Sequence, residues 1–273
     1  MDKKSILFLQ LQDLLGRITI IFIAPMYFLV IRILFYRVYD LQKIRRQCAE
    51  EFSRHKGPWI ICANHLTMID SFILSYAVFS LRQHCSDYRK LPWNLPERSN
   101  FQSNIILAVL CYLAKCIPVD RGGPREKTKK TLDKCIYLMR HNHNIMIFPE
   151  GGRSRTGRVN KDGFSYGIGR FVKEVENCRI MCIYLRGDKQ ESYSIIPAWG
   201  ERFTAQVEVF KPVAVEGGLR AQREYAAQII KQLVQMEERY FGLHRERRCG
   251  LEGSVQREEE RRFSLSDKNP HRC

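Results

Sequence analysis

Short runs of apolar residues, separated by polar or glycine-containing segments, outline the secondary structure of this chain. Those at residues 59–63 and 144–148 have the length of a buried strand, and each ends in a polar loop. Apolar residues at helical spacing predict helices over residues 125–140 and over about 219–240. This alternation of strands and helices predicts an α/β fold, in which the ends of distant strands can meet at one edge of the sheet.

The longest apolar stretch lies near the N-terminus. Residues 18–31 are apolar on every face and stand between Arg17 and Arg32. A helix needs about 20 such residues to cross a bilayer, and Pro25 would bend this one. We therefore predict a kinked helix or helix pair in one leaflet, with these arginines and Arg37 at the lipid phosphates, rather than a single crossing. No small-x-small site follows the stretch, which disfavours a cleaved signal peptide.

A second apolar stretch, residues 105–114, is also too short to span a bilayer. It predicts either a core helix or an apolar wall of a ligand cavity. With 45% hydrophobic and 27% charged residues, the 273-residue chain fits a single globular domain. We predict a membrane-associating helical segment at residues 1–42, the domain at 43–243, and a charged, disordered tail at 244–273.

The strong positive charge points to a negatively charged partner. The formal net charge is +16, and a nucleic acid, an anionic membrane or an acidic carrier protein would each fit it. The chain shows neither an aromatic RNA-binding strand nor a zinc-finger spacing, so we predict anionic membrane lipids and no nucleic acid.

The ten cysteines do not suggest a disulfide framework or a metal site. No Cys-x-x-Cys pair occurs, and most of the cysteines lie in apolar surroundings. We therefore predict reduced cysteines on the cytosolic side of the membrane and no bound metal.

Two segments carry most of the candidate chemistry. The first, Asn64-His65-Leu66-Thr67-Met68-Ile69-Asp70, follows the strand at 59–63 and offers an imidazole with a carboxylate five residues later. That carboxylate could hold one ring nitrogen while the other faces a substrate hydroxyl. The second, residues 148–155, offers glycines for close backbone approach and the guanidinium groups of Arg153 and Arg155 for an anion.

With these segments the chain resembles the glycerolipid acyltransferases, of which the 1-acylglycerol-3-phosphate acyltransferases are the best-known members. The family's Asn-His-x-x-x-x-Asp block corresponds to residues 64–70, and its Phe-Pro-Glu-Gly-x-Arg-Ser block to residues 148–154. An intermediate block that ends in an arginine is similar to residues 115–121. In the last block, at residues 180–187, Cys182 stands where a proline is usual.

The resemblance implies a fold, a reaction and a set of site residues. The fold would be a central mixed, largely parallel sheet flanked by helices. His65 would act as general base and Asp70 would hold its ring, with no acyl-enzyme intermediate. Glu150 and Gly151 would hold the glycerol-like part of a lysophosphatidic-acid-like acceptor. Arg121 and Arg153 would bind its phosphate.

The remaining components of the reaction follow from the same resemblance. The donor would be acyl-CoA or an acyl carrier protein, with no bound cofactor. A backbone amide near the first block would stabilise the oxyanion. The enzyme would be membrane-associated, with its active site facing the cytoplasm, and would serve phospholipid biosynthesis.

Three alternatives stay open on the sequence. The acceptor could instead be glycerol 3-phosphate, a lyso-phospholipid or a lyso-aminolipid. Water could replace the alcohol, which would make the protein a thioester or lipid hydrolase. The third alternative is a non-catalytic basic membrane protein or nucleic-acid binder. It ranks last because it gives no purpose to His65, Asp70 and Glu150.

Overall fold

The chain folds into eight helices and six strands within the described residues. The computed structural model describes residues 1–100, 104–120, 122–215 and 217–266, and only the backbone of residues 246–266. The helices are α1 (Lys3–Ile33), α2 (Leu41–Arg54), α3 (Asp70–Val78), α4 (Leu81–Ser86), α5 (Ile105–Leu113), α6 (Arg125–Arg140), α7 (Gly167–Glu174) and α8 (Gly218–Ser266), with 3₁₀ turns at Tyr88–Lys90 and Arg98–Asn100. The strands are β1 (Arg37–Val38), β2 (Trp59–Ala63), β3 (Trp93–Asn94), β4 (Ile145–Ile147), β5 (Arg179–Gly187) and β6 (Arg202–Phe210).

The strands form one mixed, largely parallel sheet in the order β1-β6-β5-β2-β4-β3. Every neighbouring pair is parallel except β5 and β6. All five residues of β2 are buried, so both faces of the sheet are covered. On one face, side chains of α1, α2 and α3 share a hydrophobic cluster with the inward residues of β2 and β5. The predicted α/β class and largely parallel sheet are confirmed.

The predicted elements agree with those observed. β2 occupies residues 59–63, β4 lies within 144–148, and α6 has the predicted bounds. Helix α8 begins one residue before the predicted start but continues to Ser266, beyond the predicted end near residue 240. The chain divides into two compact units, Met1–Leu233 and Val234–Cys273. The domain boundaries at residues 42 and 243 and the disorder of the tail stay predictions.

Helix α1 is one continuous helix that passes through Pro25. It is long and apolar enough to cross a membrane, by length and composition. One face packs on the domain through its buried residues, which are Leu9, Gln12, Gly16, Ile20, Ala24 and Ile31. The opposite face is apolar yet exposed, and includes Phe8, Leu14, Ile18, Ile21, Phe22, Met26, Leu29 and Ile33. An apolar surface of this extent is typical of contact with a membrane or with another protein.

Polar contacts hold α1 in its place against the domain. The Gln12 side-chain amide donates hydrogen bonds to the carbonyl oxygens of Tyr112, at 2.8 Å, and Cys116, at 2.9 Å. The Asp13 carboxylate lies 3.7 Å from the buried ammonium group of Lys115. These contacts join α1 to the last turn of α5 and to the segment that follows it.

Helix α5 is not a core helix. Its only buried residue is Cys111, whereas Ile105 and Ile106 are 80% and 70% exposed. The alternative interpretation, an apolar wall of a cavity, agrees with the position of its C-terminal end. Cys111, Leu113 and Ala114 all line the cavity described below.

Candidate active site

The two sequence motifs meet at one edge of the sheet. β2 and β4 are parallel neighbours with Cys62 opposite Ile147, so the loops that follow them leave the sheet side by side. A hydrogen bond of 2.8 Å from the Ser154 amide to the His65 carbonyl joins these loops. The predicted convergence of the two motifs is confirmed.

The His65 ring is oriented by Asp70. Its Nδ1 lies 3.1 Å from Asp70 Oδ2, and the two side chains are 12% and 3% exposed. An Nδ1–H donated to a carboxylate leaves the lone pair on Nε2, at the opposite edge of the ring. Since the ring lines a cavity, this arrangement suits an imidazole that accepts a proton from a bound hydroxyl.

The Asp70 carboxylate is itself fixed by the loop that carries His65. Oδ2 accepts hydrogen bonds from the amides of Leu66, at 2.6 Å, and Thr67, at 2.8 Å, and Oδ1 accepts one from the Thr67 hydroxyl. Asp70 is the first residue of α3, but its side chain reaches back to this loop and caps no amide of the helix. The Asp70 side chain therefore orders the His65 loop and does not cap α3.

The side chain of Phe148 covers one face of the imidazole. The two rings are stacked, with centroids 4.0 Å apart and planes 16° apart. Phe148 is the residue that follows β4, so the strand register places it beside His65. This contact leaves the ring little freedom to rotate away from Asp70.

His65, Phe148 and Arg153 line the same cavity of about 290 Å³. Its walls come mainly from α1, α3, the end of α5 and the segment around β3. They are largely apolar and include Ile20, Ile23, Ala24, Met68, Phe72, Leu91, Leu95 and Leu113. A largely apolar cavity that also includes polar residues such as His65 and Arg153 is suited to a ligand with a long hydrocarbon part.

A second imidazole lines this cavity but is unsuited to general-base catalysis. Burial lowers the pKa of His84 to about 4. Its Nδ1 lies 2.9 Å from the Ser80 carbonyl oxygen, and its Nε2 lies 3.1 Å from the Ser75 hydroxyl. Both ring nitrogens therefore already have partners within the protein, which leaves His65 as the imidazole suited to proton transfer here.

Glu150 joins the two motifs through backbone contacts. Oε1 accepts a hydrogen bond from the His65 amide and Oε2 accepts one from the Asn160 amide, both at 2.9 Å. The side chain is buried at 6% exposure. This geometry makes Glu150 a positioning residue for the His65 loop, and its predicted role in holding the acceptor stays a prediction.

The predicted anion-binding residues have different positions. Gly151 adopts φ of +70°, in the left-handed region that favours glycine, and turns the chain after Glu150. Arg153 is half-buried at the cavity, where its guanidinium lies 5.7 Å from the Tyr193 ring centre and 3.5 Å from the Ser194 carbonyl oxygen. Arg121 lies outside the described residues, so its predicted role stays a prediction.

The backbone amides of the first motif narrow the choice of oxyanion donor. The amides of His65, Leu66 and Thr67 donate to Glu150 or Asp70, and the Met68 amide donates to the Ile195 carbonyl oxygen at 3.1 Å. All four amides therefore already donate to acceptors within the protein. An amide of residues 65–68 is a poor candidate for the predicted donor.

Three further residues that support the site were not among the predicted site residues. Thr67 and Phe148 hold Asp70 and His65 as described above. Asn64 exchanges two hydrogen bonds with the backbone of Leu185, at 2.9 and 2.7 Å, and so ties the end of β2 to β5. Their position within the two motifs was the only feature of the sequence that could have identified them. Cys182, which stands where a proline is usual in the last family block, is fully buried within β5.

Comparison with known proteins places the chain in a family. Residues 37–199 match the family model described as Acyltransferase. A search of curated proteins gave no match. One similar solved structure is that of the 1-acyl-sn-glycerophosphate (LPA) acyltransferase PlsC from Thermotoga maritima, which is 15% identical over 86% of this chain and 98% of that one, with a TM-score of 0.43. Because the family model covers more than half of its length, the chain belongs to the Acyltransferase family.

Proposed function

We propose that this protein is a membrane-associated O-acyltransferase that moves a fatty acyl group from an acyl thioester to the hydroxyl of a lysophosphatidic-acid-like acceptor. The observation that carries the proposal is the His65–Asp70 pair, 3.1 Å apart, whose imidazole lines a largely apolar cavity. Membership of the Acyltransferase family supports the class of reaction.

In the proposed reaction the acceptor oxygen attacks the thioester carbonyl directly. His65 Nε2 takes the hydroxyl proton as the new C–O bond forms, and Asp70 stabilises the imidazolium that results. The C–S bond then breaks, and the leaving sulfur recovers the proton from His65. The products are an ester and a free thiol. A thioester is activated enough for a positioned hydroxyl, so no protein nucleophile is required.

The walls of the site suggest where each part of the substrates would lie. The apolar cavity would receive an acyl chain, and Arg153 at the cavity would bind the acceptor phosphate. Gly151 would allow close approach of the backbone to the glycerol part. Acyl-CoA or an acyl carrier protein would serve as donor.

Helix α1 supports the membrane-associated part of the proposal. Its inner face is buried against the domain from Leu9 to Ile31, while its outer face stays apolar and exposed. A helix covered by protein along one side for this length is better suited to lie in one leaflet than to cross alone. We further propose that the active site faces the cytoplasm at the lipid surface.

A purified-enzyme assay would test the reaction and the acceptor together. Acyl-CoA and an acyl carrier protein are each offered with lysophosphatidic acid, glycerol 3-phosphate, a lyso-phospholipid and a lyso-aminolipid. We expect ester formation to be fastest with lysophosphatidic acid, and the His65→Ala variant to lose transfer by about 10²- to 10⁴-fold while keeping its fold.

This test also has a control variant and two results that would contradict the proposed reaction. His141 is exposed, it directly follows α6, and its ring contacts Tyr137 of that helix, so it should tolerate replacement by alanine. Full activity in His65→Ala would remove the proposed base. Free fatty acid released without any acceptor, at the rate of transfer, would identify a hydrolase instead.

A further inference from the structure

The segment from Tyr193 to Trp199 exposes large apolar side chains beside the candidate active site. We call this segment the Trp199 loop. Tyr193 is 46% exposed, Ile195 62%, Ile196 54% and Trp199 61%. Scattered apolar residues on a surface need no explanation, but four within seven residues form a patch that favours a partner.

The Trp199 loop is attached directly to the loop that carries His65. The Ser194 amide donates to the Leu66 carbonyl oxygen, and the Met68 amide donates to the Ile195 carbonyl oxygen, each at 3.1 Å. Thr67 and Ser194 form an isolated parallel bridge between the two segments. The backbone of the loop is therefore ordered by hydrogen bonds, whereas its apolar side chains face outward.

The other end of the loop is attached to the segment that follows α1. The Gly200 amide donates to the Leu34 carbonyl oxygen at 3.0 Å, and the Tyr36 hydroxyl donates to the Pro197 carbonyl oxygen at 2.9 Å. The rings of Trp199 and Phe35 lie 5.8 Å apart, and Phe35 is itself 56% exposed. The exposed patch is thus adjacent to the C-terminal end of α1.

We propose that the Trp199 loop, together with Phe35, is an interfacial anchor that inserts into the headgroup region of an anionic bilayer. This inference rests on the membrane association in the proposed function. The patch continues the exposed apolar face of α1, whose last turns carry Leu29, Val30 and Ile33. A tryptophan ring at the end of an apolar surface is typical of the membrane–water interface.

Charge around the patch favours lipid over another occupant. The side chains of Arg32, Arg37 and Arg202 are exposed near it, and Arg37 and Arg202 lie opposite each other in the pairing of β1 with β6. Basic side chains beside an apolar patch complement anionic headgroups. An anchored loop would hold the His65 site, through its bonds to residues 66 and 68, at the level of an acceptor headgroup.

Tryptophan fluorescence can detect this insertion because the other two tryptophans are inaccessible. Trp59 and Trp93 are 1% and 0% exposed, so Trp199 is the reporter. The full chain is reconstituted in phosphatidylcholine–phosphatidylglycerol vesicles that contain lipids brominated near the acyl carbonyl. We expect quenching that is lost in the Trp199→Phe variant. Unquenched Trp199 in protein that sediments with the vesicles would overturn the anchor and indicate a protein partner for the patch instead.

A pair of double variants separates anchoring from a structural role. Ile195→Ser with Ile196→Ser should lower transfer to acceptor embedded in vesicles several-fold, but leave transfer in detergent micelles unchanged. The control is Val213→Ser with Val215→Ser, which alters two valines of 69% and 92% exposure outside the loop. Equal loss in vesicles and micelles would refute the anchor. A wild-type protein inactive in both media would refute the proposed reaction, while the quenching result would still decide the anchor.

Discussion

The Asp70 carboxylate couples the position of the His65 ring to the backbone of its own loop. Oδ2 receives the imidazole and two amides, and Oδ1 receives the Thr67 hydroxyl. The negative charge is shared by both oxygens, whereas the contact with the imidazole is made by Oδ2 alone. A substitution that removes the charge but keeps an oxygen facing the imidazole can therefore separate the effect of the charge from the effect of the ring contact.

Asp70→Asn should keep the fold and lose most of the activity. The side-chain nitrogen of the variant can replace Oδ1 and donate to the Thr67 hydroxyl, which can turn to accept it, so the remaining oxygen still meets His65. The negative charge that would stabilise the imidazolium is gone, and we expect kcat to fall by about 10²- to 10⁴-fold. Steady-state kinetics together with a thermal unfolding curve checks this. A variant that unfolds before it can be assayed would show that Asp70 is mainly structural.

Arg153→Ala should act mainly on substrate binding. A charge-assisted hydrogen bond to phosphate contributes about 1.5–3 kcal/mol, so we expect KM for a phosphorylated acceptor to rise by about 10- to 100-fold with little change in kcat. The control is Arg179→Ala, because Arg179 is exposed at the start of β5, opposite Trp59, and so lies at the end of the strands away from the site. If the two variants give the same KM, Arg153 does not bind the phosphate.

The elements that carry the motifs could be predicted because their local pattern is strong. β2 and β4 are short, fully apolar runs that end in polar loops, and α6 has a clear apolar face. β1 and β3 are two residues long, which leaves no periodicity to recognise. The exposure of α5 could not be predicted, because an apolar composition does not distinguish the protein interior from a membrane-facing surface.

The contacts at the site could be predicted only where the two residues are close in the sequence. His65 and Asp70 are five residues apart, so their spacing alone suggested their contact. The two amides bound by Glu150 belong to residues 85 and 10 positions away, and a backbone donor leaves no mark in the sequence. Asn64 likewise bonds to the backbone of a residue 121 positions away.

The packing of α1 against the cavity wall depends on Gly16. A Cβ at this position would lie 2.0 Å from the Tyr88 hydroxyl and 2.8 Å from the Leu113 carbonyl oxygen. Tyr88 is buried and cannot move away freely. Gly16→Ala should therefore lower the melting temperature, although alanine is by itself the better helix former by about 1 kcal/mol.

A second helical glycine provides the control for that experiment. A Cβ at Gly242 in α8 would meet no atom within 4 Å. Gly242→Ala should therefore leave the melting temperature unchanged or raise it slightly. If both variants behaved alike, close packing at Gly16 would not be the reason for its glycine.

The stability of the whole domain is linked to pH through a buried lysine beneath α1. Lys115 is 2% exposed, and its ammonium group donates to the carbonyl oxygens of Tyr88 at 2.8 Å and Leu91 at 3.1 Å. Burial lowers its pKa from 10.5 to about 7, against the opposing effect of Asp13. The folded state therefore binds fewer protons at this group than the unfolded state between these two pH values.

Because the unfolded state binds more protons there, the free energy of unfolding should rise as the pH increases from about 7 towards 10.5. The penalty for a buried ammonium is fully present below about pH 7 and is relieved as the group deprotonates in the fold. Lys115→Met removes the titrating group and should flatten this rise, which denaturant unfolding at about pH 7, 8 and 9 in detergent would measure. Lys90→Met is a suitable control, since Lys90 is an exposed lysine shortly before β3. A slope that survives in Lys115→Met would assign the pH dependence to another group.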